Sequence, residues 1–244
     1  MHSKFSEIAD PAGRLYAVGD IHGCATELEV LLEFLINDQK LSSDDMLVFV
    51  GDFIDRGPHS KQVVDLLLEH LKAYPNTHFL KGNHEDMLLD YLGLQGRLGD
   101  GYLGNGGREC LQSYGIAART SPEIVAQLLP VEHLNFYTNL KSGLLHSRFL
   151  FVHAGINPNV TLELQEDEDI YWIREQFIDF SHDIPQTVIF GHTPFVRVFF
   201  DLPFKIGIDT GLVYGNKLSM IELKEGLLFQ IARGSSEVRT SAIV

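Results

Sequence analysis

The sequence contains five short apolar runs, each of which ends directly in a small turn that carries Asp, Asn or His. Such runs, bounded by turn residues, are typical of strands that are buried on both faces of a sheet. Loops beyond the carboxyl ends of strands are where open α/β sheets bind ligands. A single polar residue at the end of a strand most often has a structural role. Five such strand ends in one chain favour a common ligand-binding site. The five turns are Gly19-Asp20-Ile21-His22-Gly23, Gly51 to Gly57 with Asp52, Asp55 and Arg56, Gly82-Asn83-His84-Glu85, His153-Ala154-Gly155 and Gly191-His192-Thr193.

Leucine and valine recur at helical spacing after the first two turns. The spacing predicts amphipathic helices over about residues 24–37 and 60–73. Strand–loop–helix repeats imply right-handed crossovers and a largely parallel sheet in the N-terminal half. The C-terminal half is rich in strands, with a hairpin predicted at Glu225-Gly226. Its strands are predicted at about 136–140, 149–152, 187–190, 205–208, 218–223 and 227–231.

Strand-like runs vanish between about residues 87 and 134, where glycines cluster between Gly93 and Gly107. We interpret this stretch as a lid-like excursion from the sheet, either a lid or short helices beside the site. A flexible surface loop is the alternative. Ser121-Pro122 predicts the start of a helix that runs to about Leu129. We find no repeat, linker or low-complexity tract, so we expect a single domain over residues 1–244.

The composition is that of an ordinary globular protein, with 244 residues, 45% hydrophobic and 21% charged. A net charge of −14 disfavours unaided binding to nucleic acid or to an anionic membrane. A phosphorylated substrate stays open, because bound cations can invert the local field. The sequence has no stretch as long as a membrane span and leaves the oligomeric state open. Two cysteines without paired spacing, Cys24 and Cys110, fit a reducing compartment, and we expect the cytoplasm.

The residue types in the five turns indicate a metal site. Asp, Asn and His supply the oxygen and nitrogen donors that divalent manganese, iron and zinc accept. Structural zinc would favour cysteine, and calcium would favour oxygen donors in one compact loop. Two ions would need a shared anionic bridge, for which Asp52, at the end of the central strand, is the candidate. Such a pair lowers the pKa of a shared water enough to give a hydroxide nucleophile near neutral pH.

In this order and spacing, the first three turns resemble the three signatures of the calcineurin-like metallophosphoesterases. Asp55-Arg56-Gly57 resembles the phosphoprotein phosphatase branch, especially the short bacterial and phage lambda type. The last two turns and Asp209-Thr210-Gly211 match later segments of the family, so the matches span residues 19–211. The resemblance implies an α/β fold in four layers, with a central β-sandwich of two mixed sheets flanked by helices.

The resemblance also implies two divalent metal ions, of which we expect manganese first, with iron or zinc as the alternatives. Asp20 and His22 would bind one ion, and Asp52 would bridge. The other ion would be bound by Asn83, His153 and His192.

The catalytic residues that the resemblance implies are an acid and two arginines. His84 resembles the general acid that protonates the leaving alkoxide, and Asp55 the carboxylate that orients it and favours its imidazolium form. Arg56 and Arg174 resemble the guanidiniums that grip phosphoryl oxygens. For Arg174, an ordinary surface arginine on a helix is the alternative.

The implied activity is metal-dependent hydrolysis of phosphoserine and phosphothreonine in proteins, accompanied by activity on small aryl phosphates. The first alternative is a hydrolase of dinucleoside polyphosphates such as diadenosine tetraphosphate, a related branch with the same metal ligands. That branch resembles this sequence less at Asp55-Arg56. The second alternative is a metal-binding scaffold without turnover, whose mark would be the loss of a ligand or of His84. Neither is missing.

Overall fold

Twelve strands and eight α-helices form over residues 4–243, the range that the computed structural model describes. The strands are β1 (Phe5–Glu7), β2 (Leu15–Val18), β3 (Met46–Phe49), β4 (Thr77–Phe79), β5 (Gly143–Leu145), β6 (Phe149–Val152), β7 (Thr187–Phe190), β8 (Phe199–Asp201), β9 (Lys205–Gly207), β10 (Lys217–Glu222), β11 (Leu227–Ala232) and β12 (Val238–Ala242). The helices are α1 (Ala25–Asn37), α2 (Ser60–Ala73), α3 (Asn83–Tyr91), α4 (Gly107–Ser113), α5 (Pro122–Leu128), α6 (Val131–Thr138), α7 (Asp167–Trp172) and α8 (Glu175–Ile178). Short 3₁₀ helices lie at Gly99–Asn105, Leu162–Leu164 and Leu212–Tyr214.

The strands form two mixed sheets of six. The first sheet has the order β12-β11-β10-β2-β3-β4, and its strands β2, β3 and β4 are parallel. The second sheet has the order β1-β5-β6-β7-β9-β8, and its strands β6, β7 and β9 are parallel. Antiparallel pairs complete the first sheet, and the second is completed by the antiparallel pairs β5–β6 and β8–β9 and by the parallel pair β1–β5. The parallel arrangement predicted for the N-terminal half is therefore confirmed for β2 to β4.

Strand β2 illustrates how the layers stack. Leu15 and Ala17 pack in an apolar cluster with Phe151 and Ile189 of the second sheet. Tyr16 and Val18, on the opposite face, pack in a second cluster with α1 and α2. A third cluster lies between the second sheet and α7 and α8. A strand with apolar neighbours on both faces needs an uninterrupted apolar run. The four-layer fold of two mixed sheets flanked by helices is confirmed.

Most of the predicted elements form, but the strand predicted at about 136–140 is wrong. The predicted helices over about 24–37 and 60–73 correspond to α1 and α2, and the hairpin at Glu225-Gly226 joins β10 to β11. Residues Val131–Thr138 form α6 instead of a strand. Its buried residues are His133, Phe136 and Tyr137. That spacing of three and four residues is the helical period, not the alternation of a strand.

The stretch over about 87–134 forms short helices. It contains the end of α3, the 3₁₀ helix Gly99–Asn105 and the helices α4 and α5. Their apolar side chains, including Leu88, Leu111 and Val125, join the same cluster as α1 and α2. The single domain over residues 1–244 stays a prediction. No helix within residues 4–243 combines the length and apolarity required to cross a membrane.

Leu31 on α1 tests the interface between the helices and the first sheet. It is fully buried in the cluster that contains Tyr16 and Val18. We expect Leu31→Ala to lower the free energy of unfolding by about 2–5 kcal/mol, because the substitution leaves a cavity in a packed interior. The matched control is Leu128→Ala, since Leu128 is a helical leucine that is 57% exposed. We expect that control to change stability by at most about 0.5 kcal/mol. Urea unfolding followed by circular dichroism measures both values.

Candidate active site

The five turns predicted from the sequence meet at one edge of the sandwich. Three of them follow β2, β3 and β4, which are parallel neighbours in the first sheet. The other two follow β6 and β7, parallel neighbours in the second sheet. Parallel strands bring their carboxyl ends to the same edge, so the loops converge from both sheets. All six predicted metal ligands are buried there: Asp20, His22, Asp52, Asn83, His153 and His192.

Asp52 lies at the centre of this group, between two histidines. Its Oδ2 is 3.3 Å from Nε2 of His22, and its Oδ1 is 3.4 Å from Nε2 of His153. The Nδ1 atoms of the two histidines lie 2.8 Å and 2.9 Å from the carbonyl oxygens of Ile54 and Val50. A carbonyl can only accept, so Nδ1 of each ring carries a proton and Nε2 is the atom left for a metal ion. Both histidines therefore present a metal-binding nitrogen to Asp52.

Asn83 and His192 bring residues of both sheets together on the other side of Asp52. Oδ1 of Asn83 is 3.0 Å from Nε2 of His153 and 2.9 Å from Nδ1 of His192. The backbone N–H of His192 donates to Oδ2 of Asp20 at 3.0 Å. Residues of the first sheet thus contact residues of the second at this edge. A Cβ on Gly191 would overlap Asp20, and one on Gly82 would overlap Asp52, so glycine permits both approaches.

The backbone of the site is held in an unusual conformation. Seven non-glycine residues within the range 4–243 have positive φ. Five of the seven belong to the predicted site: His22 (46°), Asp52 (53°), Asp55 (70°), Arg56 (64°) and His192 (65°). Side chains rarely adopt this left-handed region, and residues held there concentrate at functional sites. The strain supports a functional role for these turns.

Glu85 holds the turn that carries Asp52, a role that we did not predict from the sequence. One of its carboxylate oxygens accepts from the N–H groups of Phe53 and Ile54, and the other from those of Asp52 and Gly82. The side chain is fully buried. A signal for it exists, since Glu at the third position of a helix commonly accepts from the residue that precedes the helix. Gly82 and Glu85 have these positions in α3.

Negative charge accumulates in the buried site. Burial raises the pKa of Asp20 well above its usual range, and the nearby carboxylates of Asp209 and Asp52 raise it further. Burial also acts against ionised Asp52, but the imidazoles of His153, His84 and His22 bring its pKa well below the usual range. Burial lowers the pKa of His22 to about 3, so this histidine is neutral. Asp209 matched a family segment in the sequence, and the structure adds it as a third carboxylate.

The donor atoms of the site fit divalent cations. Two groups of potential ligands, each with its donor atoms within 4.8 Å of one another, occur among residues 4–243, and Asp52 belongs to both. Oδ1 of Asp20 and Nε2 of His192 are buried without a hydrogen-bond partner in that range. Cations would compensate the buried carboxylates and satisfy these atoms. The groups are His22, Asp52 and His84, and Asp52, His153 and His192.

His84 and Asp55 form a buried pair beside the potential metal ligands. Nδ1 of His84 is 2.7 Å from Oδ2 of Asp55, and Nε2 of His84 has no partner in the described part of the chain. Asp55 was predicted to favour the imidazolium form, but burial outweighs this effect. It lowers the pKa of His84 to about 4 and raises that of Asp55 well above its usual range. The 2.7 Å contact nevertheless needs one proton between the two groups.

The two predicted arginines both reach the site. Nη1 of Arg56 lies 2.8 Å from Nε2 of His22. Nη1 of Arg174 donates to Oγ1 of Thr193 at 3.2 Å, directly beside His192. Arg174 precedes α8 and is partly buried, so it is not the outward surface arginine of a helix that we considered as the alternative. Two guanidiniums beside a buried cluster of ligands can bind a tetrahedral anion.

Comparison with known proteins identifies relatives of this chain. Residues 13–216 match the family model of the calcineurin-like phosphoesterases. The serine/threonine-protein phosphatase 1 of Salmonella typhimurium (strain LT2) is 31% identical over 216 residues, covering 86% of this chain and 92% of that protein.

Relatives with a different named substrate are also similar. The asymmetrical bis(5'-nucleosyl)-tetraphosphatase PrpE of Halalkalibacterium halodurans is 26% identical, covering 85% of this chain and 89% of that protein. A crystal structure provisionally described as a diadenosine tetraphosphatase superposes with a TM-score of 0.66 at 25% identity. It covers 94% of this chain and 98% of that one.

Asp52 tests whether the potential ligands hold two ions. We expect Asp52→Asn to reduce the binding of both ions at least tenfold, because the bridging position loses its charge. Metal content of protein dialysed against limiting manganese, measured by inductively coupled plasma mass spectrometry, gives the number of ions. Asp183→Asn is the control, because it removes an exposed carboxylate that belongs to neither group of potential ligands. This variant should keep the metal content of the wild type. Two tightly held ions in Asp52→Asn would contradict the bridging role.

Proposed function

The chain belongs to the calcineurin-like phosphoesterases, and we propose that it is a dinuclear-metal phosphatase that hydrolyses phosphoserine and phosphothreonine in proteins. Phosphoester hydrolysis is the chemistry of the family, so the proposal concerns the substrate and the residues that act on it. Asp20 and His22 would hold one ion, and Asn83, His153 and His192 the other, with Asp52 shared. Manganese is the metal that we propose, and the cytoplasm the location.

The pair of His84 and Asp55 is the observation that carries the substrate assignment. The alkoxide of serine or threonine is a strongly basic leaving group, so its departure needs a proton donor. The leaving group of a dinucleoside polyphosphate is a nucleotide phosphate, which is a stable anion at neutral pH and gains little from protonation. A buried acid oriented by a carboxylate at 2.7 Å is therefore most useful for a phosphomonoester of an alcohol.

Different residues of the site would bind the phosphoryl group, donate the proton and orient the proton donor. Arg56 and Arg174 would bind the phosphoryl oxygens and stabilise the charge that develops on them. The ions, when bound, supply Lewis-acid activation of water and of the phosphoryl group. The oxygen of water bonds to phosphorus as the bond from phosphorus to the serine oxygen breaks. Because burial lowers the pKa of His84 to about 4, the imidazole would gain its second proton, at Nε2, under the negative charge of a bound phosphate, and would then give that proton to the serine oxygen, so that alcohol and inorganic phosphate result. Asp55 holds the imidazole in the orientation for this transfer.

Hydrolysis of dinucleoside polyphosphates is the second candidate, because proteins that match most of this chain are named for the hydrolysis of such nucleotides. The surroundings of the site support the phosphoprotein instead. A cavity of about 860 Å³ adjoins the site. Trp172 lines it, and the centroid of the Trp172 ring lies 6.3 Å from that of the His192 ring. Asp90 and Asp100 line this cavity. Among residues 4–243, no lysine, arginine or histidine lines it. Such a lining disfavours a polyphosphate, which carries several negative charges.

Substitution of His84 tests the role of the acid. We expect His84→Asn to reduce kcat for a phosphoserine peptide by about 10²–10⁴, the usual contribution of a positioned acid. The loss for p-nitrophenyl phosphate should be smaller, because nitrophenolate leaves without a proton. Metal content should stay close to that of the wild type. Loss of an ion would instead make His84 a ligand, as its place among the donor atoms around Asp52 allows.

A comparison of substrates tests the proposed function as a whole. With manganese added, we expect kcat/KM for a phosphothreonine peptide to exceed that for diadenosine tetraphosphate at least tenfold. Release of phosphate and chromatography of the nucleotides measure the two rates. A reversed preference would favour the tetraphosphatase. Chelation should abolish turnover of p-nitrophenyl phosphate, whereas a metal-loaded protein without any turnover would favour the scaffold.

A further inference from the structure

The 3₁₀ helix Gly99–Asn105 places one large side chain, Tyr102, in the interior beside Asp55. Tyr102 is fully buried, and its ring packs on that of Tyr91 with centroids 5.1 Å apart. Over residues 4–243, neither the Tyr102 hydroxyl nor Oδ1 of Asp55 has a hydrogen-bond partner within 3.5 Å. Tyr102 and Asp55 lie on adjoining segments, because the N–H of Arg56, next to Asp55, donates to the carbonyl of Gly106 at 3.2 Å. Burial raises the pKa of Asp55, and the Tyr102 phenol opposes this rise more than any other neighbour.

The Tyr102 phenol can act only as a donor toward this carboxylate. Burial, followed by the proximity of Asp55, raises the pKa of Tyr102 well above its usual range, so the hydroxyl keeps its proton. Oδ2 of Asp55 is already used by Nδ1 of His84 at 2.7 Å. Oδ1 is therefore the oxygen of Asp55 that remains for the phenol, and the thiol of Cys110 is the other polar group beside Tyr102. Two unpaired polar atoms in a dry interior are costly, and a hydrogen bond between them removes this cost.

The glycines that follow Tyr102 hold its ring close to the turn of Asp55 and Arg56. A Cβ on Gly107 would overlap three atoms of the Tyr102 ring, so only glycine leaves room for the ring. The carbonyl of Gly106 accepts from the N–H of Arg56 at 3.2 Å. One short segment thus contacts both the phenol and the backbone of the catalytic turn. This gives the glycine-rich stretch a role in the site.

We propose that Tyr102 is a positioning residue whose phenol donates to Oδ1 of Asp55 and so orients His84. With both oxygens engaged, the carboxylate cannot rotate about its last side-chain bond, and Oδ2 stays directed at the imidazole. The inference rests on the proposed role of His84 as the acid. Tyr102 itself touches neither substrate nor the reacting atoms.

Tyr102→Phe removes the hydroxyl and keeps the ring. We expect kcat for a phosphoserine peptide to fall roughly tenfold, a fraction of what a positioned acid supplies. Hydrolysis of p-nitrophenyl phosphate should fall less than twofold, because its leaving group needs no proton. In a His84→Asn background, the second substitution should cost nothing further, since Tyr102 acts through His84. Steady-state kinetics on the four proteins, loaded with manganese, measures this cycle.

Tyr137→Phe is the matched control. Tyr137 is also fully buried in the same apolar cluster, and its hydroxyl is 2.7 Å from that of Tyr114. The control should keep the wild-type ratio of the two rates even if its melting temperature falls. An equal loss of Tyr102→Phe on both substrates, or a loss that adds to that of His84→Asn, would overturn the inference and indicate a structural role.

Gly107→Ala provides a second variant that retains the phenol. The added methyl displaces the Tyr102 ring, so we expect the same selective loss on the phosphoserine peptide as for Tyr102→Phe. A wild-type rate ratio in Gly107→Ala with a displaced ring would count against the inference. If His84→Asn reduces both substrates equally, the role of His84 as the acid and the Tyr102 inference fail together. If His84→Asn is selective and Tyr102→Phe is not, only the inference about Tyr102 fails.

Discussion

The geometry of the site depends on one buried carboxylate that bonds to four backbone N–H groups. Glu85 accepts from the N–H groups of Asp52, Phe53, Ile54 and Gly82, and so joins the turn after β3 to the start of α3. Without such an acceptor, Asp52 would not remain at a positive φ, which side chains rarely adopt. Burial and the nearby Asp52 raise the pKa of Glu85 to about 8, whereas the N–H groups of Gly82 and Phe53 act against this rise, and no solvent reaches these hydrogen bonds in the interior. Asp52, which belongs to both groups of potential ligands, is therefore positioned by the fold before any ion binds.

The second constraint is the accumulation of carboxylates where the two sheets meet. Asp20, Asp52 and Asp209 lie in one buried region, together with His22 and His84, whose pKa values burial lowers. A protein without cations would have to protonate some of these groups or leave charge unpaired. The same excess of negative charge makes the guanidiniums of Arg56 and Arg174 important, since a phosphate needs positive partners in this surrounding.

The sequence predicted the central strands and the turns of the site well, because the relevant signals are local. An apolar run followed directly by Gly-Asp or Gly-Asn identifies both the strand and the residue that it presents. Four short strands, β1, β5, β8 and β12, were missed, since strands of three to five residues depend on pairing with distant neighbours. Phe136 and Tyr137 fall within the strand predicted at about 136–140, although their spacing from His133 is helical. Glu85 had a local signal that we did not use, whereas Tyr102 had none, because its partner lies in a distant loop.

The potential metal ligands are divided between the two sheets, and this has a consequence for how the protein is assembled. Asp20, Asp52 and Asn83 follow strands of the first sheet, and His153 and His192 follow strands of the second. An ion bound by both sets can exist only when the sheets have docked face to face. The binding of the metal ions and the docking of the two sheets are then coupled in a single equilibrium. The cations that serve the chemistry would also fasten the sandwich, so the least stable form of this enzyme would be the one that has lost them.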